Sequence, residues 1–125
     1  ESTVSLSSLA SPWLLINFFS IRCPFCRAAL EYMHSDIIPR FGERLTILAI
    51  ARDHDQSEVS SFLTKKKYPF LFAPDPDRKI YHHFATRFVP RNYLVNQKLE
   101  LLYQDHGFDP DDTDHLLKCL EQHIR

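Results

Sequence analysis

Residues 13–26 read WLLINFFSIRCPFC, an almost unbroken apolar run followed by two cysteines three positions apart. The apolar part, residues 13–19, shows no alternation of polar and apolar side chains, which is typical of a strand buried on both faces of a sheet. From Arg27 to Phe41 the apolar residues recur at helical spacing, and Gly42 can end that helix. The segment therefore predicts a buried strand, a turn that carries the cysteine pair, and a helix.

The rest of the chain alternates strand and helix signals. Residues 45–51 form a second apolar run, and Asp55 followed by Glu58 is a pairing that often opens a helix. The other predicted elements are a loop at 69–76, a short helix at 78–85, short strands at 92–95 and 99–104, and a last helix that opens at Asp111 and Asp112. This order predicts an α/β fold with a mixed central sheet and helices on both faces.

The composition, with 44% hydrophobic and 25% charged residues, is that of an ordinary globular domain. The length of 125 residues predicts a single domain, residues 1–125. The 15 basic and 16 acidic residues leave a net charge of −1, which gives no sign of a nucleic-acid partner. No apolar stretch approaches the roughly 18 residues of a membrane-spanning helix, so we expect no membrane insertion of this segment. The chain starts at Glu1, and we interpret it as a mature or excised domain.

The cysteines indicate a functional pair and one odd thiol, because Cys23 and Cys26 are close while Cys119 lies far along the chain. At a helix N-terminus, unpaired N–H groups and the helix dipole favour a thiolate, and Pro24 suits the first helical turn. We predict that Cys23 attacks a disulfide and that Cys26, one turn further in, resolves the mixed disulfide. Arg22 adds a positive charge beside the first cysteine.

Two other interpretations of the pair stay open. Cys23 and Cys26 could belong to a metal-handling protein together with a histidine or Cys119, although a structural zinc ion takes four ligands and usually a second close pair. The pair could also be inert, in a domain that only binds partners. We favour the redox interpretation, with no cofactor and no metal.

The chain resembles the thioredoxin superfamily, in its TlpA/ResA-like branch, over nearly its whole length. The likeness rests on residues 13–26 and the helix after them, on VSLSSL at 4–9, on Asn17, on FVPRNYLV at 88–95, and on the strand and glycine at 99–107. The resemblance implies a thioredoxin-like fold and an enzyme, a thiol–disulfide oxidoreductase that acts on protein substrates and on an upstream redox partner. It also implies export to the periplasm, or a membrane anchor facing the periplasm.

The resemblance implies a substrate groove around the cysteine pair. Pro90 would be a cis-proline that faces the pair, and Val89 would pair its backbone with an extended substrate strand. Pro24 and Phe25 would line the same groove, and Phe88 would extend its apolar wall. These assignments rest on the resemblance alone.

Three positions differ from other members of the superfamily. Arg22 stands where many relatives have Trp, and Ala29 stands where others of the branch have Glu. Asn17, which this branch often carries, stands where thioredoxins have a buried Asp. We expect Asn17 and Arg22 to support the site. Because Asn17 cannot titrate and Glu31 is expected on the solvated face of its helix, the sequence offers no evident base for the proton of Cys26.

Overall fold

A computed structural model of the chain describes residues 11–85, 87–109, 111 and 114–124. Its centre is a mixed five-stranded sheet in the order β3-β2-β1-β4-β5. The strands are β1 (Trp13–Phe19), β2 (Leu45–Arg52), β3 (Leu71–Asp75), β4 (Arg91–Asn96) and β5 (Leu101–His106). The first three are parallel to one another, and β4 and β5 complete the sheet as an antiparallel hairpin beside β1.

Among the described residues, five α-helical segments pack around the sheet. They are α1 (Pro24–Tyr32), α2 (Ile38–Phe41), α3 (Gln56–Lys65), α4 (Lys79–His82) and α5 (Asp114–His123). A π-helical turn, Met33–Ile37, joins the first two, and a 3₁₀ turn, Gly42–Arg44, leads into β2. None of the helices among these residues has the length and apolar character needed to cross a membrane.

Strand β1 is buried on both faces, as predicted, because helices cover the sheet on each side. Leu15 and Phe19 pack into a core with side chains from α1, α3 and α5. Phe18, on the opposite face, packs into a second core with Tyr81 of α4, their ring centroids 5.4 Å apart. The predicted mixed sheet with helices on both faces is therefore confirmed.

The prediction of a loop at 69–76 is wrong, because residues 71–75 form the edge strand β3. Leu71 lies opposite Leu48 and Pro74 opposite Ala51 in the parallel pairing with β2. Proline cannot donate a backbone hydrogen bond, and it is tolerated here because one side of an edge strand has no neighbouring strand to receive it. Pro74 within the strand, with Pro69 and Pro76 on either side of it, concealed the strand.

The helix predicted for residues 27–41 begins earlier, at Pro24, and is interrupted by the π-helical turn. Pro39 explains the interruption, since it has no N–H to donate to the carbonyl four residues before it. Gly42 adopts a positive φ of 56°, as its place after the helix predicted. The helix predicted at 78–85 covers only Lys79–His82.

The predicted strand at 99–104 lies two residues later, at 101–106. Asn96 explains the shift, because its side-chain oxygen accepts hydrogen bonds from the N–H groups of Lys98 and Glu100 and holds them in the turn. The strand predicted at 92–95 is one residue longer at each end. The last helix begins at Asp114 with Asp111 in a turn before it, whereas Asp112 and the segment 4–9 lie outside the described residues.

Candidate active site

The two close cysteines lie where β1 passes into α1. Cys23 is the N-cap residue of α1 with an extended backbone, and its Sγ accepts a hydrogen bond of 3.2 Å from the N–H of Cys26. Pro24 occupies the start of the helix, where its missing N–H leaves no hydrogen bond unmade. The predicted position of the pair at a helix N-terminus is confirmed.

The two thiols have different surroundings. Cys23 is half-buried, whereas Cys26 has 0% of its surface exposed. Burial raises the pKa of the Cys26 thiol well above its ordinary value of 9.0, and the hydrogen bond with Cys23 raises it further. A hydrogen bond from the Ser20 backbone and the positive charge of Arg52 oppose this shift. An accessible sulfur therefore lies in front of a buried one that stays protonated at neutral pH.

The Val89–Pro90 peptide bond is cis, the isomer that the resemblance implied. Phe18 near the end of β1 lies opposite Arg91 at the start of β4. The peptide bond just before β4 therefore lies beyond the carboxyl end of β1, at the edge of the sheet where the turn to Cys23 begins. Pro90 is buried and Val89 is half-buried. Their contact with a substrate stays a prediction.

Two aromatic side chains near this edge are exposed. Phe25 in the first turn of α1 is 57% exposed, and Phe88 just before the cis peptide bond is 52% exposed. Phe88 stacks on His106, with ring centroids 5.6 Å apart, and its carbonyl accepts a hydrogen bond of 2.7 Å from the Tyr81 hydroxyl. These two aromatic rings are surface groups and not part of the core.

Asn17 is completely buried in β1, on the face that α1 covers. Its Nδ2 donates to Oδ1 of Asn92 at 2.8 Å, and Nδ2 of Asn92 donates to Oδ1 of Asp105 at 3.0 Å. The three residues lie opposite one another in β1, β4 and β5. Asn17 is therefore the inner end of a polar row that runs across the sheet to a carboxylate.

The charged residues named from the sequence are exposed and pair with other surface groups. Arg22 has a side chain that is 73% exposed, and its guanidinium lies 3.5 Å from Oε2 of Glu58. Glu31 is exposed, accepts a hydrogen bond from the Tyr68 hydroxyl and lies 3.9 Å from the ammonium of Lys66. The prediction that Glu31 lies on the solvated helix face is confirmed.

His54, which the sequence did not single out, holds the turn before Cys23. The imidazole is 1% exposed, and its Nε2 accepts a hydrogen bond of 3.0 Å from the N–H of Ile21. The hydroxyl of Ser20 lies 3.2 Å from the same nitrogen. Because a backbone N–H can only donate, Nε2 is the unprotonated nitrogen, and Nδ1 donates to Oε2 of Glu58 at 3.1 Å.

A capping box orients Glu58 toward His54. Asp55 accepts from the N–H of Glu58 at 2.9 Å, and Oε1 of Glu58 accepts from the N–H of Asp55 at 3.1 Å. The hydrogen bond from Asp55 and then the one from His54 lower the pKa of the Glu58 carboxyl. A histidine at the end of a strand, four residues before the acid of a capping box, was the signal available in the sequence.

The described residues contain no group of three or more His, Cys, Asp and Glu placed to hold a metal ion. Cys119 is half-buried in α5, and its Sγ lies 4.0 Å from Nε2 of His115. Cys23, Cys26 and Cys119 are all free thiols. The metal-handling alternative stays a hypothesis, tested by metal binding to the reduced protein.

Comparison with known proteins extends the resemblance. The thiol-disulfide oxidoreductase ResA of Oceanobacillus iheyensis is 24% identical to the chain over 102 residues, which cover 81% of this chain and 53% of ResA. ResA of Bacillus thuringiensis is 23% identical over 105 residues, which cover 83% of this chain and 60% of that protein. The chain therefore spans little more than half the length of these curated relatives.

Solved structures share the fold. A Chlorobium tepidum protein assigned as a thiol:disulfide interchange protein DsbE has a TM-score of 0.84 and 21% identity, with coverage of 95% of this chain and 84% of its own. The AhpC/TSA family itself matches residues 1–104, the greater part of the sequence. The chain belongs to the AhpC/TSA family, within the thioredoxin superfamily that its cysteine segment resembles.

Proposed function

We propose that this protein is a thiol–disulfide oxidoreductase, acting as one domain, that exchanges disulfides with protein substrates through Cys23 and Cys26. One observation carries the proposal. Sγ of Cys23 caps α1 and accepts the Cys26 N–H at 3.2 Å, while the second thiol is buried behind it. A sulfur held by helix N–H groups and half open to solvent suits nucleophilic attack on a disulfide. The ResA relatives bear the name of this activity.

The exchange has two steps. The thiolate of Cys23 attacks one sulfur of a substrate disulfide, the substrate S–S bond breaks, and the departing sulfur takes up a proton. Cys26 then loses its proton and attacks Sγ of Cys23, which releases the second substrate sulfur as a thiol. Two electrons pass to the substrate and a Cys23–Cys26 disulfide remains. The same steps in reverse oxidise a substrate dithiol. In either direction the cysteine pair ends in the opposite redox state, so an upstream redox partner must return it to its starting state by supplying or removing two electrons.

The groove named from the resemblance is part of the proposal. Val89, just before the cis bond, offers its backbone groups to an extended substrate strand. The exposed ring of Phe25, the neighbouring Pro24 and the buried Pro90 give that strand an apolar wall beside Cys23. Main-chain hydrogen bonds of this kind depend little on the side chains of the substrate, which suits an enzyme with several protein substrates.

We further propose that the protein works outside the cytoplasm, in the periplasm or anchored to a membrane that faces it. Solved structures with this fold include an exposed lipoprotein thioredoxin of Streptococcus pneumoniae and a secreted disulfide oxidoreductase of Mycobacterium tuberculosis, and they support this placement. Protease accessibility of the protein in spheroplasts tests it. Resistance to protease until the inner membrane is lysed would contradict it.

A redox titration with thiol trapping tests the central proposal. In dithiothreitol or glutathione buffers, we expect one reversible two-electron transition that involves Cys23 and Cys26, with a midpoint above the roughly −270 mV of thioredoxin. Cys23→Ser should abolish insulin reduction without loss of fold, and Cys119→Ser, as the matched control, should retain both. The absence of a reversible transition would refute the redox function. Stoichiometric copper or zinc binding by the reduced protein, or partner binding that survives Cys23→Ser/Cys26→Ser, would then favour one of the alternatives.

A further inference from the structure

A cleft of about 480 Å³ opens beside the active site, between the turn that precedes Cys23 and the helix α3. Its charged wall carries four cations: Arg22 from the turn, Arg27 from α1, and Lys65 and Lys66 from the end of α3. The cleft therefore concentrates positive charge in a protein whose net charge is −1.

A single carboxylate, that of Glu58, stands against these cations among the residues that line the cleft. Its one negative charge offsets one of the four positive charges, and hydrogen bonds from the Asp55 N–H and from His54 hold its two oxygens toward the loop that follows β2. The guanidinium of Arg22 is 3.5 Å from Glu58, at the long end of an exposed ion pair. Such pairs hold their partners weakly. The cleft is left with an excess of positive charge.

The cations stay available to a ligand. Arg27 donates one hydrogen bond of 2.8 Å to the carbonyl of Ile21, which holds the guanidinium over the turn. Its other N–H groups are left to contact a ligand. Lys66 lies 3.9 Å from Glu31 and both side chains are about half exposed. Lys65 forms no ion pair within the described part of the chain. Arg27 and Lys65 therefore keep donor groups free for a carboxylate in the cleft.

The location of the cleft and the apolar residues at its base favour an extended peptide as the bound ligand. Ile21, half-buried, and Phe62, buried, supply apolar contacts below the charged groups. Strand order places β2 and its helix α3 on one side of β1, and β4 with its preceding cis bond on the other. A substrate strand that pairs with Val89 and crosses Cys23 is directed toward this cleft.

We infer that this cleft binds an acidic stretch of the substrate protein, adjacent in sequence to the cysteine that reacts with Cys23. The inference rests on the proposed function and names the class of substrate for the same site. Carboxylates of the substrate lie against Arg27, Lys65 and Lys66, and the aliphatic part of the stretch covers Ile21. Electrostatic contacts of this kind raise the rate of encounter more than the final affinity, and they weaken with salt.

The test compares mixed-disulfide formation with three peptide disulfides that differ only in two residues beside the cysteine: Glu-Glu, Gln-Gln or Lys-Lys. At low ionic strength the Glu-Glu peptide should react about threefold to tenfold faster than the Gln-Gln peptide, and this ratio should fall toward one at about 0.5 M salt. Lys65→Glu/Lys66→Glu should reverse the order of the acidic and basic peptides.

Lys98→Glu/Lys118→Glu is the matched control, because it makes the same change in net charge at two exposed lysines outside the cleft. It should keep the preference for the acidic peptide. Because glutamates at the end of α3 also oppose the helix dipole, Lys65→Gln/Lys66→Gln provides a gentler variant, which should reduce the preference by half or more. Unfolding curves of all variants confirm that the fold is retained.

Equal rates for the three peptides, with normal reaction of the Gln-Gln peptide, would overturn the acidic-substrate inference and leave the oxidoreductase proposal intact. No reaction with any peptide would instead contradict the oxidoreductase proposal. The same rates are also measured with glutathione disulfide as the substrate. If it reacts as fast as the Glu-Glu peptide and loses as much in the charge-reversed variant, the cleft serves a small carboxylate-bearing thiol, and the inference of a peptide occupant is wrong.

Discussion

The backbone N–H of Ile21 donates a hydrogen bond of 3.0 Å to Nε2 of His54. This contact ties the turn that delivers Cys23 to the loop that follows β2, and both lie at the carboxyl ends of parallel strands. The other ring nitrogen of His54, Nδ1, carries the proton and donates a hydrogen bond to Oε2 of Glu58. The turn before the nucleophile is therefore held by one tautomer of a histidine in the loop after the neighbouring strand.

Replacing His54 by alanine should loosen this turn. The variant leaves the N–H of Ile21 without its acceptor, at a cost of about 1–3 kcal/mol in the free energy of unfolding. Mixed-disulfide formation by Cys23 should slow because the nucleophile is less well placed. Urea unfolding, peptide exchange rates and the hydrogen exchange of the Ile21 amide measure these effects.

His83→Ala is the control, since His83 is exposed and its loss should change stability by less than about 0.5 kcal/mol. His54→Gln, which can retain an acceptor near Ile21, should recover part of the exchange rate. Unchanged hydrogen exchange of the Ile21 amide in His54→Ala would show that another contact holds the turn.

Glu58 makes the stability of the fold depend on pH, and the direction of this dependence follows from its lowered pKa. Hydrogen bonds from Asp55 and His54 lower the pKa of its carboxyl below the ordinary 4.5, so the carboxylate is favoured in the folded state. Its contribution to stability is therefore complete above pH 4.5 and is lost as the pH falls through the lowered pKa. The denaturation midpoint of Glu58→Gln should lie below that of the wild type at pH 7, and the two should converge at low pH. A gap that persists at the lowest pH would assign the effect to packing.

The thiols should differ in reactivity toward iodoacetamide. Burial raises the pKa of Cys26, and reaction needs its thiolate, so its alkylation at pH 7 should be more than about tenfold slower than that of Cys23. The rate at Cys26 should still be rising with pH beyond 9. Mass spectrometry in a Cys119→Ser background separates the two sites. Equal rates at neutral pH would contradict the buried position of Cys26.

The features foreseen from the sequence are those whose signals are local. The apolar run of β1, the proline and cysteines that open α1, and the capping box at Asp55 each lie within a few adjacent residues. Strand β3 was missed because Pro74 within it, with Pro69 and Pro76 on either side, is typical of a loop, and only the place of the strand at the edge of the sheet makes Pro74 acceptable.

The partners of two buried polar residues could not be foreseen. His54 meets Ile21 only because β1 and β2 are parallel neighbours, and Asn17 meets Asn92 from 75 positions away only because β4 pairs with β1. A single sequence does not state which strands are adjacent or in what register. From the sequence, Asn17 is therefore recognised as a difference from the buried Asp of thioredoxins without a physical reason for it.

The polar row supplies that reason and the last prediction. Nδ2 of Asn17 donates to Oδ1 of Asn92 at 2.8 Å, and an aspartate carboxylate could not donate there. Asn17→Asp should therefore lower the unfolding free energy by about 3 kcal/mol at pH 7, because it buries an uncompensated charge. Burial raises the pKa of such a carboxyl, so the penalty should be absent below about pH 4 and grow as the pH rises. Gln97→Glu, an equal charge change at an exposed turn residue, should show no such dependence. Unchanged stability of Asn17→Asp at pH 7 would contradict the prediction, because it would mean that neither the Nδ2 donor nor the absence of a charge at this position stabilises the fold.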